Sequence, residues 1–213
     1  MNGGSCPEDL VRAVRATGVS GERVLEAVRV TPRAGFVPAE AAAAAYDDEP
    51  IRIGHGQVTT QPSLSASMME SLDLAGDEHV LEVGTGLGYQ TALLAYLAAD
   101  VVSIERWPDM AGQARRNLAR HGIHNVELLV GDGSCGVPDC APYDAVVVSA
   151  AFPEVPSPLV EQLRVGGRLV QPIGPGGYEE VVLFQRCADT LERRRVLTHA
   201  RFVRLHGRYG FPP

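Results

Sequence analysis

A glycine-rich turn between an apolar segment and an apolar helical pattern constrains the fold of this chain more than any other feature. Residues 79–83 form a short apolar segment, and Gly84, Gly86 and Gly88 follow it at alternate positions before a helical pattern over 89–99. Glycine adopts positive φ angles and lets the backbone approach a ligand closely. In doubly wound α/β folds such a turn lies at the carboxyl end of a parallel strand, where ligands bind.

The rest of the chain continues the alternation of strands and helices. Apolar and β-branched runs predict further strands at 101–104, 126–130, 143–148, 168–173, 179–186 and 192–204. Helical spacing predicts a pair of helices within 8–30, with Ser20 as an N-cap, and single helices at 39–46, 62–74, 108–121 and 158–163. We therefore predict one α/β domain over residues 1–213, with a doubly wound, mostly parallel sheet and an N-terminal helical extension.

Three acidic residues lie at the ends of successive predicted strands and indicate the ligand. The turn spacing is GxGxG rather than the GxGxxG of dinucleotide sites, and Glu82 precedes the turn by two residues. A carboxylate there suits a cation and repels a pyrophosphate. Glu105 can accept hydrogen bonds from both ribose hydroxyls, and Asp132 from an adenine amino group. These features predict a site for S-adenosyl-L-methionine, which carries a sulfonium and an ammonium and no phosphate.

Composition excludes several other classes of function. The net charge is −7 without a long basic run, so we expect no nucleic-acid partner. No apolar stretch is long enough to span a membrane, and the N-terminus lacks a signal-peptide pattern, so we expect a cytoplasmic monomer without a membrane partner. The four cysteines, Cys6, Cys135, Cys140 and Cys187, have no zinc-site spacing, so no metal is expected.

Longer motifs resemble those of the protein-L-isoaspartate O-methyltransferase family over most of the chain. The matching segments are Thr31-Pro-Arg-x-x-Phe-Val-Pro38, Gly54-His-Gly-Gln57 with Gln61-Pro62, residues 80–92, Ser103-Ile-Glu-Arg106, Gly131-Asp-Gly133, Pro142-Tyr-Asp-Ala-Val146, residues 162–170 and Phe202-Val-x-Leu205. The glycine-turn motifs are common to many methyltransferases. The segments at 31–38 and 54–62 are much more specific to this family.

The resemblance implies a fold and a set of site residues. It implies a methyltransferase fold of the S-adenosylmethionine-dependent type, in which residues 1–61 supply helices and a covering loop and residues 62–213 form the Rossmann-like core. The cofactor-binding residues would be Glu82, Gly84, Thr85, Gly86, Gly88, Glu105, Asp132 and Gly133, and S-adenosyl-L-homocysteine would be the product. The covering loop would bind the carboxylate of a peptide or protein substrate through Val58, Thr59 and Gln61, with Thr60 as the catalytic residue.

The chain departs from the family pattern at the covering loop and near its C-terminus. The family usually reads Gln-Thr-Ile-Ser-Gln/Ala-Pro, whereas this chain has Val58 in place of the first Thr and Thr60 in place of the Ser. Thr60 keeps the hydroxyl but adds a methyl group and a stiffer side chain. The family's Val-Pro-Leu is here Val203-Arg-Leu205, so Arg204 is a further candidate for binding the substrate carboxylate.

Four functions are open at this point. The first is repair, in which the free α-carboxylate of an L-isoaspartyl residue is methylated and a succinimide then forms. The second is a dedicated tailoring enzyme that methylates an aspartate of one ribosomal peptide natural product to form an aspartimide, and the altered residues 58–60 motivate it. A non-catalytic module that only binds the cofactor is the third. A nicotinamide-dependent oxidoreductase is the fourth, which Glu82 opposes.

Overall fold

The computed structural model describes residues 6–212, and a seven-stranded sheet forms its centre. The strand order is β3-β2-β1-β4-β5-β6-β7. The strands are β1 (His79–Val83), β2 (Asp100–Glu105), β3 (Val126–Val130), β4 (Tyr143–Val148), β5 (Leu163–Ile173), β6 (Glu179–Arg186) and β7 (Leu191–Ala200). The first five strands are parallel to one another, whereas β6 runs antiparallel to β5 and β7 antiparallel to β6. The predicted mostly parallel α/β sheet is confirmed.

Six α-helices and short 3-10 turns surround the sheet in the described part of the chain. The α-helices are α1 (Pro7–Ala16), α2 (Glu22–Val30), α3 (Pro62–Leu72), α4 (Tyr89–Leu97), α5 (Pro108–Arg120) and α6 (Ser157–Gln162). The 3-10 turns span Arg33–Phe36, Ala39–Ala44, Gly133–Cys135 and Pro138–Cys140. Between residues 6 and 212, no helix combines the length and the apolar character that a membrane crossing would need.

The strand order creates a crevice at the carboxyl end of the sheet. β1 pairs with β2 on one side and with β4 on the other. The chain leaves β1 toward β2 and leaves β4 in the opposite direction, toward β5, so the two connections diverge at this point. In open parallel sheets such a switch point is where ligands bind. The central strands are buried on both faces, which is why they have near-continuous apolar sequences.

The N-terminal extension packs against one face of the sheet, and the two share one hydrophobic core. Buried side chains of α1 and α2, including Leu10, Val14 and Leu25, join a cluster that contains Leu93 of α4 and Val147 of β4. The opposite face of the sheet packs a second cluster. The predicted boundary at residue 61 is untested and stays a prediction.

The predicted N-cap at Ser20 is wrong, and a long-range contact replaces it. Helix α2 begins after Gly21, and no side chain caps it from that position. The backbone N–H groups of Ser20 and Gly21 instead donate to the Oε1 atom of Glu70 in α3, at 2.7 and 2.6 Å. A carboxylate from α3 therefore satisfies donors at the start of α2 and joins the two helices.

The alanine-rich segment forms a 3-10 helix over Ala39–Ala44 rather than the α-helix predicted for 39–46. None of these six residues is buried, so no apolar face holds a longer helix in place. The carbonyl groups that follow are bound by a side chain: the guanidinium of Arg33 donates to the carbonyl oxygens of Ala45, Asp47 and Glu49 at 3.1, 2.9 and 2.8 Å. Arg33 therefore determines the path of this segment.

The acidic triplet 47–49 also supports the structure. The Asp48 carboxylate accepts hydrogen bonds from the Ser63 N–H at 2.8 Å and from Gln61 Nε2 at 2.9 Å. It thus satisfies a donor in the first turn of α3, as N-terminal acids commonly do. The segment that precedes the covering loop is thereby fastened to the helix that follows it.

We predict that Arg33→Ala destabilises the protein by about 3–5 kcal/mol, because removing a buried cation leaves three carbonyl groups and a cavity behind. Arg33 is fully buried, and burial lowers the pKa of its guanidinium. The control is Arg15→Ala, which removes an exposed ion pair to Glu22 and should cost about 1 kcal/mol or less. Urea unfolding measures both, and equal losses would contradict the assigned role of Arg33.

Candidate functional site

A large cleft opens at the carboxyl ends of β1, β2 and β4. Its empty space, including the open mouth, is about 910 Å³. The wall includes nine residues predicted from sequence: Val58, Thr59, Thr60, Gly84, Thr85, Gly86, Glu105, Gly133 and Arg204. We call this space the main cleft. Nine of the predicted residues therefore line one cleft, and the other four lie outside its wall.

The glycine turn forms the floor of the main cleft. Gly84 and Gly86 have φ angles of +98° and +58°, which side-chain-bearing residues adopt only with strain. A Cβ atom on Gly86 would approach Ile53 Cδ1 to 3.3 Å. Gly88 serves a different purpose, since it begins α4 at φ +93° and a Cβ there would meet Ala114 and Leu118 at 3.5 Å. Gly88 thus allows close helix packing and does not line the cleft.

Glu105 presents a carboxylate in a defined orientation at the end of β2. Its Oε2 atom accepts from the Gly86 N–H at 2.9 Å and its Oε1 atom from the Trp107 N–H at 3.0 Å. A carboxylate has about four lone-pair sites, so each oxygen keeps one for a ligand. This arrangement suits a pair of neighbouring hydroxyl groups, as predicted for the ribose.

Glu82 lies beneath the floor of the cleft rather than in its wall. It is fully buried, and its carboxylate accepts hydrogen bonds from Thr91 Oγ1, Ser103 Oγ and Gln90 Nε2 at 2.5, 2.6 and 3.1 Å. Burial raises the pKa of Glu82 to about 7, against the effect of these three donors and with a smaller contribution from the nearby charge of Glu105. Contact between Glu82 and a ligand stays a prediction.

A hydrogen-bonded chain of polar side chains connects Glu82 with the cleft wall. Gln90 donates to Glu82 and, at 2.7 Å, to Ser149 Oγ, while its amide oxygen accepts from Ser65 Oγ at 3.0 Å. All three of Gln90, Ser65 and Ser149 line the main cleft, and sequence reasoning missed them. A signal existed for Ser149, which follows β4 just as Gly84 follows β1. Thr85 joins the same network through Ser103 at 2.6 Å.

The Asp132 carboxylate accepts hydrogen bonds from other groups of the protein. Its Oδ1 atom accepts from the Ser134 N–H and hydroxyl at 2.9 and 2.6 Å, and its Oδ2 atom accepts from the Arg208 N–H at 2.7 Å. Burial acts to raise the pKa of Asp132, but these hydrogen bonds outweigh it and hold the pKa below its usual value. The carboxylate therefore fastens the C-terminal segment beside the cleft, and only the neighbouring Gly133 lines the wall.

A short hairpin covers part of the main cleft. Arg52 and Val58 form an antiparallel bridge, and His55 and Gly56 between them have φ angles of 52° and 70°, which is typical of a type I′ turn. The His55 ring stacks on Trp107 at 4.0 Å between centroids, and its Nε2 atom lies 2.9 Å from the Asp109 carboxylate. The hairpin is thus fastened to the start of α5.

The residues after the hairpin differ in what their side chains contact. The Thr59 hydroxyl oxygen accepts from Arg33 Nη2 at 2.9 Å and from the Ile51 N–H at 3.0 Å, so it supports the loop. Gln61 donates to Asp48 and lies outside the main cleft. The Thr60 hydroxyl lines the cleft and makes no hydrogen bond within residues 6–212, and Val58 is 40% exposed beside it.

A second depression continues from the main cleft past Thr60. We call it the adjoining groove. It shares residues 58–60, Ser149 and Val203 with the main cleft and adds Pro50, Gln61, Leu64, His199, Ala200, Arg201 and Phe202. Arg204 lies on the side of the main cleft, where its guanidinium stacks over Phe211 at 5.0 Å. Thr60 lines both spaces and therefore lies where they meet.

Two buried donors in the cleft wall have no partner among residues 6–212. They are the Tyr89 hydroxyl and the Trp107 Nε1–H group, and Tyr89 is only 4% exposed. Burial of an unsatisfied polar group costs free energy, so most such groups are paired in native proteins. Unpaired donors that line a cleft are available to a ligand. In the described part of the chain, no three or more His, Cys, Asp or Glu side chains are grouped to hold a metal ion.

Comparison with solved structures identifies the class of fold. A structure named protein-L-isoaspartate O-methyltransferase aligns with a TM-score of 0.83 at 31% identity, covering 96% of this chain and 67% of that chain. A second, from Plasmodium falciparum in complex with S-adenosyl-L-homocysteine, aligns with a TM-score of 0.80 at 20% identity, covering 95% and 99% of the two chains. The fold is that of the S-adenosylmethionine-dependent methyltransferases.

Sequence comparison identifies the family. The profile of the family described as Protein-L-isoaspartate(D-aspartate) O-methyltransferase matches residues 5–210. A protein-L-isoaspartate O-methyltransferase of Methanoculleus marisnigri is 50% identical over 198 residues, covering 93% of this chain and 90% of the relative. Another, from Myxococcus xanthus, is 47% identical over 193 residues, covering 89% and 91%. The chain belongs to the protein-L-isoaspartate O-methyltransferase family.

We predict that Glu82 makes the stability of the protein fall with rising pH. Between its ordinary pKa of 4.5 and about 7, the folded state holds a proton that the unfolded chain releases. The stabilisation is fully present below pH 4.5 and is lost as the pH rises through 7. The free energy of unfolding should fall by about 3 kcal/mol over this interval. Glu82→Gln should remove this component.

The measurement is urea unfolding at pH 5 and pH 7.5. The wild type should lose more stability over this interval than Glu82→Gln, and Glu22→Gln, which removes an exposed carboxylate, controls for the loss of one negative charge. Parallel pH profiles for the wild type and Glu82→Gln would show that Glu82 does not bind the proton.

Proposed function

We propose that this protein transfers the methyl group of S-adenosyl-L-methionine to the free α-carboxylate of L-isoaspartyl residues in peptides and proteins. Membership of the family supports the reaction, and the position of Thr60 is the structural observation that carries the proposal. Thr60 lies between a cleft suited to the donor and a groove suited to an extended peptide. Its hydroxyl is free to bind the substrate carboxylate at that junction.

The residues of the main cleft fit the methyl donor. Glu105 keeps lone pairs for two ribose hydroxyls, and the buried Tyr89 and Trp107 donors need an acceptor that the protein lacks. The glycine turn gives the ligand close access to the backbone at Gly84 and Gly86. The bound donor would supply an activated methyl group on a sulfonium, and the glycine turn with Glu105 would orient it.

The acceptor needs no general base. An α-carboxyl group has a pKa of about 3.3–3.7 in water, so it is already ionised at neutral pH. The task of the protein is to align the carboxylate with the methyl group and to exclude water. Thr60 would donate a hydrogen bond that orients one carboxylate oxygen. Thr59 and Gln61 would act indirectly, since their side chains hold the loop in place, while Val58 and Arg204 would contact the substrate.

The methyl ester prepares the substrate for a step that needs no further catalyst. An ester is more easily attacked than a carboxylate, so the following backbone nitrogen can bond to its carbonyl carbon and release methanol. The product is a succinimide, and its hydrolysis returns either aspartate or isoaspartate. Repeated cycles would convert isoaspartyl links to normal ones, which is the repair function implied by the family.

The altered covering loop favours one second candidate. Val58 and Thr60 replace a Thr and a Ser of the usual family pattern, and both residues line the site. A dedicated enzyme that methylates an aspartate in one ribosomal peptide, which then forms an aspartimide, would use the same donor cleft. Acceptance of many unrelated substrates distinguishes repair from tailoring.

We predict methylation of unrelated isoaspartyl peptides with kcat/KM at least about 10²-fold above that of the matching aspartyl peptides. The reason is that the site orients a carboxylate by a hydrogen bond, and the side-chain carboxylate of an aspartyl residue is attached at a different position from the free α-carboxylate of an isoaspartyl residue. The assay follows transfer of a labelled methyl group to several pairs of synthetic peptides. Equal labelling within each pair would refute the proposed function. Labelling of aspartyl residues in one sequence alone would establish the tailoring function in its place.

We predict that Thr60→Ala lowers kcat by about 10²-fold, because one preorganised hydrogen bond to the reacting group is lost. The dissociation constant for the donor, measured by calorimetry, should change little because Thr60 faces the acceptor. Thr60→Ser restores the hydroxyl and should recover most of the activity. An unchanged kcat in Thr60→Ala would remove Thr60 from the mechanism, and an equal loss in Thr60→Ser would show that the hydroxyl is not what matters.

A further inference from the structure

The C-terminal part of the chain carries a charge opposite to that of the whole protein. Residues 191–212 contain six arginines and two histidines against one acid, Glu192, whereas the net charge of the full chain is −7. Most of this segment is β7 and the extended stretch that follows it. Two of these basic residues, His199 and Arg201, lie at the end of β7 and just beyond it, where they line the adjoining groove.

Two of these arginines are neutralised within the fold. Arg193 pairs with Glu180 at 2.7 Å and Arg194 with Glu192 at 2.9 Å. The other four are Arg195, Arg201, Arg204 and Arg208, all of which are exposed and have no carboxylate partner within residues 6–212. Arginines without a partner at a substrate-binding surface are available to bind an anion.

Two of the four unpaired arginines border the substrate path. Arg201 lines the adjoining groove and Arg204 lines the main cleft, so they lie on the two sides of the junction marked by Thr60. The wall of the adjoining groove contains no Asp or Glu. His199 also lines it, but its Nε2 atom lies 3.8 Å from Glu180 Oε1, so Arg201 is the cation of this wall that has no carboxylate partner within residues 6–212. The nearby acids are otherwise engaged: Glu179 is buried and accepts from the Phe202 N–H at 2.9 Å, and Glu180 pairs with Arg193.

From this arrangement we infer that the groove selects acidic acceptor segments, namely peptides with Asp or Glu beside the residue to be methylated, and that Arg201 is the main specificity-determining residue. The inference rests on the proposed methyltransferase function and narrows its substrate class. An acidic segment is favoured at this face, because the rest of the chain carries a net negative charge. The charge pattern therefore also orients the approach of the substrate.

The expected size of the effect follows from the exposure of the arginines. Exposed ion pairs are screened by water and salt and are individually weak. Each acidic neighbour should therefore lower KM by only about two- to fivefold, with little effect on kcat. The preference should weaken as salt is added, since screening shortens the reach of the arginine charge.

The test uses one isoaspartyl core peptide with three sets of flanking residues: acidic, neutral and lysine-containing. The wild-type enzyme should show kcat/KM for the acidic peptide about five- to twentyfold above that for the lysine-containing peptide at low salt, and a smaller ratio in 0.5 M salt, on the order of twofold. Arg201→Glu should reverse this preference. The control is Arg195→Glu, which makes the same charge change on β7 at a residue that lines neither space, and should leave the preference as in the wild type.

The outcomes separate this inference from the proposed function. Methylation of the neutral peptide without an acidic preference in the wild type would refute the inference and leave the function intact. Equal shifts for Arg201→Glu and Arg195→Glu would show that overall charge, not the groove, sets the selectivity, and would also overturn it. Failure to methylate any of the three peptides would refute the proposed function itself.

Discussion

The buried carboxylate of Glu82 is the interaction on which the rest of the site depends. It lies on the central strand β1 and accepts hydrogen bonds from β2 through Ser103 and from α4 through Thr91 and Gln90. Removing a carboxylate from water is costly, and the cost is tolerated only where donors surround it. The hydrogen bonds to Glu82 therefore fix the positions of the three donor side chains. The glycine turn, which lies between β1 and α4, is held in shape with them.

A second buried charge stabilises the opposite side of the cleft. Arg33 is fully buried behind the covering loop, where it binds three backbone carbonyl groups and the Thr59 hydroxyl. The loop is thus attached to the N-terminal extension from behind, and His55 attaches the hairpin to α5 in front. This double attachment explains how a stretch with little regular secondary structure can hold Thr60 at a fixed place. The extension is therefore part of the site and not only an addition to the fold.

The sequence predicted those parts of the site that follow from the topology alone. Gly84, Glu105 and Gly133 come directly at or after strand ends, and parallel strands bring such residues to one edge. Sequence reasoning did not distinguish residues that line the cleft from residues that support it. Glu82 and Asp132 are occupied by donors from distant segments, Arg208 among them, and such contacts appear only in the folded chain.

The wrong predictions for two local elements have the same cause, namely contacts that form only in the folded chain. Ser20 has the chemistry of an N-cap, but Glu70 lies fifty residues later and reaches the same N–H groups. The alanine run has high helix propensity, but it has no buried face, and Arg33 takes the carbonyl groups beyond it. In each case a tertiary contact overrides a local preference, as is usual for short elements. Gln90 and Ser65 were missed because their relevance depends on a contact between two helices.

The proposed chemistry also explains why the cleft wall is largely apolar above a polar floor. A carboxylate and a sulfonium are both charged before methyl transfer, and the ester and thioether that result are neutral. Water stabilises the separated charges more than a state in which they are being cancelled, so an exposed site would slow the reaction. Phe36, Ile53 and Leu205 line the cleft and give its wall apolar surface. The exposed Arg201 lies in the adjoining groove, where it can attract an anionic substrate without restoring a strongly solvated environment around the reacting atoms.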